Sequence, residues 1–257
     1  MTVGIRKAGQ FSWTNILTPK PAEARSFYEK VLGWTFLDMP GVGYRFQVDG
    51  KDAGGMFDVV NPQTGDVAAP IMAMMIKVDD ADATVKKVRE LGGIAQDAFD
   101  VFDAGRMAVC GDPAGAKFDI WQAKAQPGAS HDTAAHGGPS WIENLTSDPA
   151  NVADFYAKLF GWDVQLMPMG AFDYTTFNKY GEPVGGLMPI QPHMGDGNVK
   201  PQWGVYVTVK DVDAAARAVE ANGGSICVPM QDVPGVGRFC GVVSPHGVMF
   251  YLITYRM

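Results

Sequence analysis

The chain has 257 residues, 47% hydrophobic and 19% charged, long enough for two ordinary domains and too apolar for disorder. Its formal net charge of −7 repels a nucleic-acid polyanion and argues against such a partner. No apolar run approaches the ~20 residues that span a bilayer, no signal-peptide core follows Met1, and Cys110, Cys227 and Cys240 form no C-x-x-C pair. The reading is a reduced, cytoplasmic protein that meets neither nucleic acid nor membrane.

In chain order, residues 11–18 alternate and end at Thr-Pro, which predicts a strand leading into a helix. Apolar residues at helical spacing predict that helix over Ala22–Leu32, stopped by Gly33. Strands are expected at 42–48, 53–60 and 71–78, then a helix at 80–91 ending on Gly92-Gly93. A hairpin closes the segment, 105–110 with 117–122, turning at Asp112-Pro113-Ala114-Gly115. The pattern then recurs, with strands at 139–146, 172–178, 184–190 and 203–209 and helices at Ala150–Phe160 and 211–222. Its last turn is Ser244-Pro245-His246-Gly247.

The recurrence is a true internal repeat. Ser12-Trp13 returns as Ser140-Trp141, Phe27-Tyr28 as Phe155-Tyr156 and Gly33-Trp34 as Gly161-Trp162, each 128 positions on. Gly54-Gly55 and Gly92-Gly93 return after 131, and Gly105-Arg106 after 132. The drift is small enough to be short loop insertions. The expected organisation is a module at 1–122, a linker at 123–138 and a second module at 139–257, each built from two βαβββ-like units.

The linker is rich in Ala, Gly, Gln, Ser and His. His131 and His136 lie in it, and histidines in such a segment usually titrate in solvent rather than bind metal. His246 in its turn and His193 in the loop 191–197 also read as solvated, although that loop has the composition of a lid. Phe27, Tyr28, Trp34, Phe155, Tyr156 and Trp162 read as helix-to-sheet packing. The loops Pro40–Tyr44 and Pro234–Arg238 are Gly-rich but lack a phosphate-binding motif, and no G-x-S-x-G is present.

The run Trp-x-x-x-Leu-Thr-x-Asp-Pro-(x)5-Phe-Tyr-x-x-Leu-Phe-Gly-Trp at 141–162, with the Asp-Pro-x-Gly turn at 112–115, resembles the vicinal-oxygen-chelate superfamily. That superfamily includes glyoxalase I, bleomycin-resistance proteins and extradiol dioxygenases. More narrowly, 105–116 and Gly185–Met188 resemble two-module glyoxalase-like proteins often labelled "hydroxylase". The resemblance covers nearly the whole chain, once per repeat. It implies an α+β fold of tandem glyoxalase-like modules, paired βαβββ units curling into incomplete barrels around a pocket. It also implies a divalent metal held by His, Gln or Glu on the first, middle and last strands, acting as a Lewis acid.

Aligned with that pattern, the first-strand ligand position holds Trp13 and Trp141, the middle position Ala73 and Gly204, and the last position Asp119 and Tyr251. Only Asp119 offers a normal ligand. No cofactor is therefore expected, though the resemblance leaves a divalent metal open. By alternation, Trp13, Asn15 and Leu17 share one face, as do Trp141, Glu143 and Leu145. The aromatic lining of Trp13, Trp141 and Tyr251, with Asn15, Asp119 and Glu143 as polar anchors, suits a small molecule. The same indoles would also serve as plain core aromatics.

An inward carboxylate is costly unless paired, and Arg106 and Arg238 are the expected partners of Asp119 and Glu143, as part of the same ligand-binding set. In an enzyme, Glu143 would be the leading general base and Asp119 the second catalytic residue. The favoured function is small-molecule binding of the glyoxalase/bleomycin-resistance type, by a monomer or homodimer. The alternative is a glyoxalase-like lyase or isomerase using an atypical metal or a Glu/Asp base.

Overall fold

Burial alternates strictly along Phe11–Leu17, with Ser12, Thr14 and Ile16 buried and Trp13, Asn15 and Leu17 half-covered. A strand with that pattern packs one face on a core and turns the other toward a concavity. In the computed structural model, which describes residues 4–60, 65, 67–170, 172–192 and 194–256, this segment is β1 (Phe11–Leu17). It is followed by α1 (Pro21–Leu32), β2 (Thr35–Met39), β3 (Gly43–Val48), β4 (Lys51–Phe57), β5 (Ile71–Lys77) and α2 (Ala81–Glu90). The first half ends with β6 (Ile94–Ala95), β7 (Phe99–Val101), β8 (Gly105–Gly111) and β9 (Lys117–Ala123).

The second half repeats the order as β10 (Pro139–Thr146), α3 (Pro149–Phe160), β11 (Asp163–Pro168), β12 (Asp173–Lys179), β13 (Glu182–Pro189) and β14 (Gln202–Thr208). After these come α4 (Val212–Ala221), β15 (Ser225–Val233), β16 (Gly237–Val243) and β17 (Met249–Tyr255). The starts of α2 and α4 are set by side chains: Asp80 accepts from the Ala83 amide and Asp211 from the Ala214 amide, both at 2.9 Å. Helix ends at Gly33 and Gly161 use φ of 68° and 64°, a left-handed cap that glycine adopts without strain.

Each half forms one sheet, in the order β2-β3-β4-β1-β5-β9-β8-β6 with β7 beside β8, and β11-β12-β13-β10-β14-β17-β16-β15. The fold is α+β, two related modules each made of two βαβββ units. The first strand of each unit pairs parallel with its last, β1 with β4 and β5 with β9. The units join antiparallel through β1 and β5. β2, β6, β7, β11 and β15 carry no alternating signal in the sequence. They lie at or next to the sheet edges; β11 is exposed at every residue and β15 has two register shifts. No helix among the described residues is long and apolar enough to cross a membrane.

The repeated aromatics do pack helix on sheet, and they also bind the modules to each other. Tyr28 on α1 lies 6.1 Å from Phe250 on β17, and Tyr156 on α3 lies 5.4 Å from Phe118 on β9. Trp34 Nε1 donates to the Gly137 carbonyl and Trp162 Nε1 to the Gly9 carbonyl, each at 2.7 Å. Both donors and both acceptors are 128 residues apart, so the contacts are related by a pseudo-two-fold axis. One buried cluster runs through both modules.

The expectation of a solvated linker is corrected. The Ala129 amide donates to the Ser12 carbonyl, Ser130 to Asp52 and Gly137 to Thr208, so this segment threads between the modules. His131 is 2% exposed, and His136 is half-buried with Nδ1 accepting from the Lys210 amide at 3.2 Å. Backbone pairing to both sheets is what composition could not reveal. His246 is half-buried rather than solvated, and His193 lies outside the described residues.

Candidate functional site

The register sets two parallel rows across each concave face, because directly opposed residues share a side. In the second sheet Trp141, Tyr206 and Tyr251 are opposed across β10, β14 and β17, and Gly186, Glu143 and Gly204 across β13, β10 and β14. The glycines let rings fold over the row. A Cβ on Gly204 would fall 2.5 Å from the Tyr251 ring, and one on Gly186 would fall 1.8 Å from the Tyr174 hydroxyl. Tyr206 and Tyr251 stack at 4.4 Å with planes 11° apart.

Glu143 sits under these rings with both oxygens engaged. Tyr206 donates to Oε1 and Tyr174 to Oε2, each at 2.9 Å, and Trp141 Nε1 donates to the Tyr174 hydroxyl at 3.3 Å. Burial pushes the Glu143 carboxyl above its usual range, opposed in part by the two phenol hydrogen bonds. Burial also holds Tyr174 and Tyr206 well above the ordinary phenol range, with the Glu143 charge adding to it, so both stay protonated donors. The second concave face is a closed hydrogen-bonded cluster.

The first face has the same frame and different chemistry. Trp13, Met75 and Asp119 form one row across β1, β5 and β9, with Asn15 opposite Gly55 and Ala73 in the next. Trp13 Nε1 donates to Asn15 Oδ1 at 3.1 Å, and Asn15 Nδ2 reaches the Met75 sulfur at 3.4 Å. Met75 and Asp119 stand where the second module has Tyr206 and Tyr251, so no phenol is present to satisfy an acid. Asp119 is 8% exposed and makes no hydrogen bond or ion pair among the described residues. Burial raises its carboxyl to about 7, and the thiol of buried Cys110 is pushed up to about 12 by burial and then by Asp119.

Arg106 and Arg238 are not the partners of these acids. Arg106 binds Asp82 at 2.9 Å and Asp100 at 3.2 Å; Arg238 binds Asp213 at 3.0 Å and Asp232 at 2.7 Å. Arg106 is opposed to Gln122 and Asp119 to Val109; Arg238 is opposed to Thr254 and Tyr251 to Gly241. An odd offset along a strand places side chains on opposite faces, so both arginines lie behind the sheets and tie α2 and α4 to them.

The family model of the Glyoxalase/Bleomycin resistance protein/Dioxygenase superfamily matches residues 10–120 and again 138–252. The chain belongs to this superfamily. Among superfamily relatives, "Putative glyoxylase CFP32" of Mycobacterium tuberculosis is 34% identical over 255 residues, covering 96% of this chain and 95% of that protein. The anthracycline biosynthesis protein DnrV of Streptomyces peucetius is 30% identical over 265 residues, with 96% and 94% covered. The superfamily fold is shared with the Mn(II)-bound glyoxalase of Novosphingobium aromaticivorans, at TM-score 0.65 and 14% identity, over 96% of this chain and 82% of that one. It is shared too with homoprotocatechuate 2,3-dioxygenase of Brevibacterium fuscum in complex with 3,4-dihydroxyphenylacetate, at TM-score 0.65 and 13% identity, over 99% and 82%.

Some solved members of the superfamily hold a metal, and the residues here do not fit one in that manner. The positions where the resemblance would place ligands hold Trp13, Ala73 and Asp119 in one module and Trp141, Gly204 and Tyr251 in the other. Indole, methyl and neutral phenol are not ligands for a divalent ion, and the Tyr251 ring fills the space a side chain at 204 would need. Tyr174, Tyr206 and Met75 were not singled out from sequence. Tyr206 was within reach, two residues beyond Gly204 on the same strand and hence on the same face.

Proposed function

We propose that the protein binds a small planar aromatic molecule against the concave face of the first sheet without a divalent metal, and that the ligand carries a hydrogen-bond donor. The observation that carries this reading is Asp119, a buried carboxyl with no hydrogen-bond or ion-pair partner among the described residues, beside Trp13, Asn15 and Met75. An unmet acceptor in a low-dielectric site is destabilising until a donor arrives, and the indole offers a stacking surface. Glu143 already has two donors, so the second face has less left to offer a ligand. Kinship with a protein named for anthracycline biosynthesis supports a ligand with fused aromatic rings.

The test is a titration of tryptophan fluorescence with polycyclic aromatic phenols and amines. Saturable quenching is expected, weakened about tenfold or more by Asp119→Asn, the loss of a buried charge-assisted hydrogen bond, and unchanged in Arg106→Gln. Equal affinity in Asp119→Asn sinks the reading.

A second reading is a lyase or isomerase in which Asp119 moves a proton. A carboxyl raised to about 7 suits general acid–base work at neutral pH. Solvent deuterium would then enter the ligand at the carbon next to its carbonyl, and Asp119→Asn would abolish the exchange. Exchange that persists in this variant rejects it.

A further inference from the structure

We propose that the seam between the modules holds a binding site for a small monovalent anion, of chloride or formate size, centred on Arg6. The cavity shares the Trp13 and Trp141 indoles with the concave faces but not Asp119, so Arg6→Gln and Asp119→Asn test the two sites separately. A small cavity of about 40 Å³ lies on the pseudo-two-fold axis, where β1 and β10 each carry a register shift at their start. Ser12 and Trp13 line it from one module and Ser140 and Trp141 from the other, with Arg6 and His131 closing it. The two halves of this wall are repeat-equivalent. Arg6 and His131 break the symmetry, and Arg6 gives the cavity its charge.

Arg6 is 4% exposed and has no carboxylate within 4.0 Å among the described residues. Its guanidinium donates to the backbone carbonyls of Gly4 and His131, the latter at 3.0 Å. Carbonyls satisfy N–H groups but do not cancel the charge. The acid acting on it from a distance is Asp132, which is exposed and has one oxygen engaged by the Ala134 amide at 2.8 Å. A buried cation left in this state is costly unless a counter-charge enters.

His131 lines the cavity without adding to its charge. It is buried, its Nε2 lies 2.9 Å from the Pro139 carbonyl and therefore carries the proton, and its Nδ1 has no partner. Burial, reinforced by the Arg6 charge, pulls it down to about 4, so at neutral pH it is uncharged and Arg6 alone supplies the attraction for an anion. The Ser12 hydroxyl, 1% exposed, makes only a long 3.5 Å contact to the Met75 carbonyl, leaving it free to turn toward an anion. A cavity of this size takes a halide or a formate in place of one or two waters and excludes sulfate and gluconate.

An anion held here would touch the N-terminal arm, the linker and both modules at once. It would bind the assembled protein and not the unfolded chain, and so raise stability by mass action. The experiment is thermal unfolding of the full chain in gluconate buffer at constant ionic strength, titrated with chloride or formate. A saturable rise of about 3–6 °C at tenfold excess over the dissociation constant is expected. It should be absent in Arg6→Gln and kept in Arg256→Gln, an exposed control. A flat response, or an equal rise in Arg6→Gln, overturns the proposal. Because Arg6→Gln could fail to fold, bromide-soaked crystals of the unaltered protein give a second readout. An anomalous peak beside Arg6 supports the site, and bromide found only elsewhere refutes it.

Discussion

Asp112 Oδ2 lies 3.1 Å from the Tyr156 hydroxyl, so the last turn of the first module is bonded to the first helix of the second. The same oxygen accepts from Asn144 Nδ2 at 3.1 Å, and Oδ1 accepts the Ala114 and Ala116 amides at 3.0 Å. One buried carboxylate thus shapes its own turn and clasps the partner module. The repeat counterpart is Ser244, which accepts the Val248 amide at 3.1 Å and faces Tyr28, whose hydroxyl has no partner of ordinary geometry.

Asp112→Ala strips four acceptor contacts and leaves two buried donors from the other module unmet. The expected loss is about 2–4 kcal/mol, against about 1 kcal/mol for Ser244→Ala. Urea unfolding of the two variants checks the order, and equal losses would contradict the clasp.

Asp119 makes stability fall as pH rises. Its carboxyl is raised to about 7 in the folded chain, above the unfolded value near 3.9. Between those limits the folded state holds the extra proton, so stability is present at low pH and lost on approach to pH 7, by at most about 4 kcal/mol. His131, held down to about 4, works in the opposite sense, losing stability as pH falls below about 6.5. The contribution of Asp119 is therefore the difference between wild type and Asp119→Asn, and a constant difference from pH 4 to 7 would refute the assignment.

Gly204 is required by the ring above it. A Cβ there meets the Tyr251 ring at 2.5 Å, closer than any real contact, so Gly204→Ala must displace a stacked, buried side chain and should cost about 1–3 kcal/mol. Tyr251→Ala in the same chain removes the clash, and the double variant should lose less than the sum of the two single losses. Additive losses in a double-mutant cycle would show that the ring is not the obstacle.

Of the three thiols, Cys227 is exposed while Cys110 and Cys240 are buried. A single thiol should react with Ellman's reagent under native conditions, and Cys227→Ser should abolish the fast reaction. The reaction will be slow at neutral pH because the side chain is partly covered and desolvation holds the Cys227 thiol above its ordinary range. Two or three fast equivalents would mean that the sheets open readily.

The repeat, the helix starts at Asp80 and Asp211, the glycine stops and the inward set on β1 and β10 were all legible in the sequence. Each is a local matter: a capping carboxylate, a left-handed turn, or a period of two along one strand. The edge strands were not legible, because β11 is exposed on every residue and has no buried face to impose alternation.

The pairing of acids with partners was likewise beyond local reasoning. Arg106 and Asp119 are close in the chain, and only the β8–β9 register shows that they lie on opposite faces. Glu143 and Asp119 look alike in sequence, yet one has two phenol donors from β12 and β14 and the other has none among the described residues. The burial of His131 depends on both modules closing over the linker. Periodicity and the internal repeat determined the order of elements and which residues share a strand face, and the motif resemblance implied the superfamily fold. Only the tertiary structure decided which buried charges are satisfied, because hydrogen-bond partners come from strands far apart in the chain and their side is set by register.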